Sequence, residues 1–230
     1  MVKEYQQPAS LCKIPNHEKY HVSFTPGYLF RIFYYIFRMS LLYNFPFEAN
    51  EIYHVYNKAV GKEKLFYGED NYRFFLQKFS QYLSDSAHVY TYCLIPNHFH
   101  FLIRVAPTSS PNLISEKFRR FLISYSKSIN KQQERSGSLF NKHLKRVKID
   151  HMEQLIWIVY YIHRNPLHHG ITKDFKTYKW SSFKALVSNK YTELKRQELY
   201  EWFDGKKHFL QFHEENQVLD LERFSHLFLE

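Results

Sequence analysis

Two apolar runs, residues 88–95 and 98–105, stand on either side of Pro96-Asn97, and this arrangement constrains the chain more than any other. Proline fixes its own φ, and asparagine tolerates the conformations a turn demands. A two-residue break between runs rich in β-branched and aromatic residues therefore predicts a β-hairpin. The second run opens with His98-Phe99-His100. Side chains alternate along a strand, so His98 and His100 share one face while Phe99 points to the other and anchors them in a core.

The flanking segments extend the pattern. Residues 51–60 are rich in β-branched and aromatic side chains and end at Gly61, which predicts a strand. In 69–84, Tyr72, Phe75, Leu76, Phe79 and Leu83 recur at helical spacing, as do Leu113, Phe118, Phe121, Leu122, Tyr125 and Ile129 in the stretch from 111 to about 134. Leu139 to Ile149 alternates loosely between apolar and basic residues, which suits a strand with one solvated, positive face. Asp150 fits an N-cap for a helix over 151–165, with Leu155, Ile156, Val159 and Ile162 inward and Asn165-Pro166 closing it. The order strand, helix, strand, strand, helix, strand, helix argues for an α+β fold. Its antiparallel sheet is flanked by helices, as in ferredoxin-like and RRM-like palms.

Composition narrows the partners. A formal net charge of +10 and a pI of about 9.4 attract polyanions, nucleic acid first. The most apolar stretch, Tyr28 to Phe47, is broken by Arg31 and Arg38 and is too polar to span a bilayer, although it could lie on a membrane surface. Met1 opens a polar segment with Lys3 and Glu4, without the basic start and apolar run of a secretory signal, so a cytoplasmic location is expected. Cys12 and Cys93 are too few and too far apart for a disulfide framework, and Cys93 is expected to be buried and reduced.

Paired imidazoles on a strand offer two nitrogens to a divalent metal, or simply occupy half-exposed strand positions. The helix over 151–165 adds a second grouping. Tyr161 and Asn165 lie four apart and project from one side, with Tyr160 pointing elsewhere. Facing the histidines, Asn165 would supply an oxygen ligand and Tyr161 a phenolic nucleophile. Facing a core, they would be an amphipathic tyrosine and a helix-end asparagine. Between the histidines and Tyr161 in sequence runs a basic stretch, Lys117 to Lys148, that includes Arg119, Arg120, Lys127, Lys142, Lys145 and Arg146 and is interleaved with Phe118, Phe121, Tyr125 and Phe140. It reads as a phosphate track with rings for unpaired bases, or as a solvated face. His163, His168 and His169 read as solvated residues of a helix end and loop, with a phosphate beside His169 as the alternative, and His54 as a packed, hydrogen-bonded strand histidine.

Several motifs together resemble a known family. Tyr53-His-Val-Tyr-Asn-Lys, Tyr92-Cys-Leu-Ile-Pro-Asn-His-Phe-His-Phe-Leu-Ile, Ser138-Leu-Phe-Asn-Lys, Tyr160-Tyr-Ile-His-Arg-Asn-Pro-Leu-His-His-Gly and Tyr178-Lys-Trp-Ser-Ser occur in this order. The set resembles the REP-associated tyrosine transposases and related single-tyrosine HUH transposases of bacterial insertion sequences. The resemblance covers roughly residues 48–186. It implies a catalytic domain over 49–186, with an N-terminal extension over 1–48 and a helical C-terminal extension over 187–230. It further implies a metal pair at His98 and His100, a third ligand at Asn165, a nucleophile at Tyr161, and Mg²⁺ or Mn²⁺ as the cofactor. Single-stranded or hairpin DNA would be cut through a 5′-phosphotyrosine link that leaves a free 3′-OH, and rejoined by the reverse attack. The protein would act as a monomer or as a homodimer. The rival reading is a catalytically silent nucleic-acid-binding protein on the same fold.

Overall fold

The computed structural model describes residues 46–215. The stretch 28–45 and Cys12, on which parts of the sequence reading fall, lie outside the described residues. Strand β1 (Ile52–Lys58), helix α1 (Glu69–Leu83), strands β2 (Ala87–Ile95) and β3 (His98–Val105), helix α2 (Pro111–Gln132), strand β4 (Lys145–Lys148) and helix α3 (Met152–His168) follow in that order. After a 3₁₀ turn at Phe175–Thr177 come α4 (Phe183–Val187), α5 (Arg196–Trp202) and α6 (Lys206–Glu215). The sheet order is β2-β3-β1-β4 with every neighbouring pair antiparallel, which makes two interlocked split β-α-β units, the ferredoxin-like arrangement.

Alternation along β3 divides the core. Phe99, Phe101 and Ile103 point toward α1 and α2, where they meet Phe75, Phe79, Phe118, Phe121 and Tyr125. Leu102 points the other way with Cys93 and Ile95, under Leu155, Ile158, Val159 and Ile162 of α3. Leu199, Tyr200, Phe203 and Phe209 of the C-terminal helices join this second cluster, so α3, α5 and α6 cover the sheet face opposite α1 and α2. Among the described residues no helix is long and apolar enough to cross a membrane.

Several local expectations change. The expected strand over Leu139–Ile149 is a ladder only at Lys145–Lys148, with an isolated bridge between Ala59 and Phe140. The Asn57 side chain donates to the Asn141 carbonyl (3.2 Å), which takes that acceptor away from a regular ladder and lets 141–144 loop out. Asp150 is exposed and does not cap α3. His151 holds the cap position, because the Ile149 amide is still bonded to Ile52 of the sheet (2.8 Å). In α2, Leu113 faces solvent and Ile114 takes the inward position.

Helix α3 runs through Pro166 to His168 instead of closing before it. A proline withdraws one amide donor, here from the carbonyl of Ile162, and crowds the residue before it. The burial of Ile162, Asn165 and Pro166 and the side-chain bonds of Asn165 outweigh that cost. The Pro166 carbonyl then accepts from Ile171 (2.8 Å) and Thr172 (3.3 Å), which folds the chain back after the helix.

His163 is fully buried rather than solvated, and it fastens α3 between the sheet and α6. The proton order follows from one fixed end. His213 Nδ1–H donates to the Phe209 carbonyl (2.8 Å), which only accepts. A neutral His213 ring therefore accepts at Nε2, so His163 Nδ1–H donates to it (2.9 Å). His163 Nε2 is then left to accept from the hydroxyl of Thr91 (2.7 Å) or Ser182 (3.0 Å). Ser182 in turn receives the Tyr92 amide (3.0 Å).

Burial keeps both rings neutral: it holds His163 well below the usual histidine range, helped by its neighbour His213, and His213 near 3, helped by Arg164 and Lys176. Both folded-state values lie below the unfolded value of about 6.5, so their contribution to stability is present above that pH and lost as the pH falls toward the folded values. Denaturant titrations at stepped pH should show stability declining from about pH 6.5 downward, with a slope approaching about 1.4 kcal/mol per pH unit for each imidazole. A flat profile from pH 7.5 to 5.5 would contradict the buried neutral pair.

Candidate active site

The register places the site residues. In the antiparallel pair β1-β3, Lys58 opposes His98, Tyr56 opposes His100 and His54 opposes Leu102. Directly opposed residues share a face. His54, Tyr56 and Lys58 therefore stand beside His98 and His100 on the face that α3 covers. Both site histidines are buried. One turn of α3 brings Tyr161 and Asn165 above them, since residues four apart on a helix project together.

Asn165 is the junction. Its Oδ1 lies 3.0 Å from His98 Nε2, and its Nδ2 lies 3.4 Å from His100 Nε2 and donates to Tyr161 Oη (3.1 Å). The Tyr161 ring stands edge-on to His100 at 5.5 Å between centroids and to His54 at 6.3 Å. The nucleophile candidate, both imidazoles and the amide thus meet within one chain.

A second layer holds the imidazoles. His98 Nδ1 lies 2.9 Å from Asn97 Oδ1, and His100 Nδ1 lies 2.9 Å from His54 Nε2. Burial keeps His54 near 3, and it keeps His100 well below the usual range with the neighbouring His54, His98 and His169 adding to the effect. Both rings therefore present uncharged nitrogens. Both nitrogens of His98 face amide oxygens, those of Asn97 and Asn165. A neutral ring has one N–H, so in that state one contact would set a lone pair against an oxygen, and a cation between His98 Nε2 and Asn165 Oδ1 would relieve it. The donor set, two imidazole nitrogens and one amide oxygen, fits a divalent metal, which would take its remaining oxygen ligands from water or a phosphate. Among the described residues no three His, Cys, Asp or Glu side chains are grouped to hold a metal, so a third ligand beside the two imidazoles would have to be the amide.

The histidines after Asn165 are not the solvated residues expected. His169 packs edge-on against His98 (4.6 Å) and His168 against Tyr161 (5.8 Å), both half-buried. Burial, with Arg164 and His169, lowers His168 to about 4. His54 is packed and hydrogen-bonded as expected, with the addition that its partner is His100. Tyr160 points away from the site, against Trp157 and Phe212, with Arg164 over its ring (5.1 Å). The sequence reading missed Lys58, Tyr56 and Asn97. A period-two count back from a β1-β3 pairing would have found the first two.

The six basic residues divide. Lys145 opposes Tyr56, lies over its ring (5.7 Å) and so sits on the site face. Burial and the nearby Lys58 charge lower the Lys145 ammonium from its usual value. Arg146, one residue on, opposes Val55, faces the α2 side and lies over Phe47 (4.7 Å). Arg119, Lys127, Lys142 and Arg146 line one groove beside α2 and Arg120 does not, although Arg119 (2.6 Å) and Arg120 (2.8 Å) both bond Glu116.

No protein-family model matches the chain, and no curated protein sequence matches it. Among solved structures, the fold is similar to that of a REP-associated tyrosine transposase bound to a REP hairpin, at 15% sequence identity and a TM-score of 0.55, over 66% of this chain and 88% of that one. At that identity the likeness is one of fold: a four-stranded antiparallel sheet with flanking helices.

The two adjacent tyrosines should separate in stability measurements. Tyr160→Ala opens a cavity against Trp157 and Phe212 and is expected to cost about 3 kcal/mol. Tyr161→Phe gives up one hydroxyl bond and is expected to cost about 1 kcal/mol. Thermal unfolding of the two variants beside wild type checks the order.

Proposed function

We propose that the protein is a transposase-type strand transferase that nicks and rejoins single-stranded DNA, with Tyr161 as nucleophile. The observation that carries this reading is the amide of Asn165, which meets His98, His100 and Tyr161 at once. The fold shared with a transposase solved on a hairpin supports it and suggests hairpin-bearing DNA as the substrate. His98, His100 and Asn165 would hold Mg²⁺ or Mn²⁺. When bound, the ion polarises the phosphate oxygens and offsets the negative charge that develops on them.

The chain's own residues do the rest. His54 and Asn97 orient the two imidazoles, so that their Nε2 lone pairs point to one place. The helix fixes Tyr161 one turn from Asn165, which converts an encounter between phenol and phosphate into a positioned attack. Tyr161 Oη forms a bond to phosphorus and gives up its proton, the bond from phosphorus to the 3′ oxygen breaks, and that oxygen takes up a proton. The 5′ end remains on the tyrosine as a phosphodiester. Attack by a 3′-OH reverses the step and needs no nucleotide hydrolysis, since the energy of the broken ester is kept in the link. Lys58 and Lys145 flank this face and favour an anionic strand there.

The silent-binder reading needs an accessible sheet face for stacking bases. Here α3, α5 and α6 cover the face that carries the histidines, and α1 and α2 cover the other, which favours the enzyme.

A labelled single strand carrying a hairpin, incubated with Mn²⁺, should yield a covalent adduct with wild type and with Tyr160→Phe, and none with Tyr161→Phe. An adduct that survives Tyr161→Phe, or that never forms on any hairpin-bearing strand, overturns the assignment. His54→Phe should weaken Mn²⁺ binding, read by isothermal titration calorimetry, by about 10- to 100-fold while the protein stays folded. Unchanged affinity would remove His54 from the role of orienting His100.

A further inference from the structure

The groove beside α2 lies on the other side of the sheet from Tyr161. It encloses about 530 Å³ between α2 and the loop that leads into β4. Four cations reach it, Arg119 and Lys127 from the helix and Lys142 and Arg146 from the loop and strand; Arg119 is also paired with Glu116 (2.6 Å), and no aspartate or glutamate is among the lining residues. Asn57, Asn130 and Asn141 add amide groups, and Phe118, Leu122 and Ile123 form an apolar floor. An open cleft near α5 offers a comparison. It also carries lysines and an arginine, but Glu198 and Glu201 line it too, so its charge is mixed.

A groove lined by cations and amides over an apolar floor suits the backbone of a nucleic acid. Phosphates meet the guanidinium and ammonium groups, and sugars lie on the floor. Its position relative to the site adds a second point. The four-residue edge strand β4 reaches toward both, since its successive side chains face opposite sides of the sheet. Arg146 belongs to the groove. Lys145 lies over Tyr56, whose ring stacks on His54 (4.8 Å) and His100 (5.5 Å).

We propose that this groove is a second nucleic-acid site, one that holds the phosphate backbone away from the point of cleavage, with the strand crossing the β4 edge to reach Tyr161. The proposal takes its partner from the strand-transfer reading but rests on a different part of the molecule. It leaves Arg120 out of the DNA contact and gives Lys145 to the cleavage side.

The test measures equilibrium binding of the full chain to a fluorescent DNA hairpin with single-stranded flanks, and to an unstructured strand of the same length. Both are read in EDTA across a salt series, so no strand is cut and the outcome does not depend on Tyr161 chemistry. Lys127→Gln/Lys142→Gln should bind at least tenfold more weakly, with a log-log salt slope shallower by about 1.5. Lys190→Gln/Lys195→Gln, which removes the same charge from the other cleft, should bind nearly as wild type. A loss confined to the hairpin assigns the groove to the stem, and a loss shared by both probes assigns it to the flank. Wild-type affinity and slope in the groove variant would overturn the proposal, as would an equal loss in the control pair, which would make net charge the cause. If the groove variant loses binding while wild type forms no adduct, the groove stands and the enzyme reading falls.

Discussion

Strand β3 has no solvent side. From His98 to Val105 every residue but Arg104 is buried, so a segment that alternates between rings and imidazoles must be covered on both faces. A two-layer palm covers one face. The other would leave Leu102 and the adjoining Cys93 and Ile95 against water, and α3 with the C-terminal helices removes them from it. The helix that completes the second core is the one that carries Tyr161 and Asn165. Placement of the site residues and burial of the second face therefore depend on the same helix. The imidazoles, amide and hydroxyls of the site and of the His163 relay bond one another within that core, as low-dielectric surroundings favour.

Much of this was legible in the residues. The hairpin, the inward position of Phe99, the stripes of α1 and most of α2, and the shared side of Tyr161 and Asn165 all follow from periods of two and of about four, which depend only on local geometry. The expectations that changed depended on partners distant in sequence. Nothing near Pro166 announces that a helix will run through it, because the compensation comes from the sheet below. Nothing near His163 announces burial, because Thr91, Ser182 and His213 lie far along the chain. The outward Leu113 and inward Ile114 show the same limit at a helix start, where one position of phase decides which of two apolar residues packs.

The basic residues teach a related lesson. Read along the sequence, Arg119 to Arg146 form one run; in three dimensions Lys145 and Arg146 stand on opposite sides of a sheet. A charge run that crosses a strand cannot serve a single surface, since adjacent residues diverge there. The motif Trp180-Ser-Ser, which carried no chemistry in the sequence, gains a structural account: Ser182 receives the Tyr92 amide and closes the hydroxyl end of the His163 relay.

Tyr161 and Asn165 ride on one rigid helix, with His163 between them tied to both the sheet and α6. A displacement of α3 by even part of a turn would draw Asn165 and Tyr161 away from His98 and His100 together, and would break the buried relay at the same moment. On the proposed reading, ligand and nucleophile would then be gained or lost as a pair, because one helix carries both.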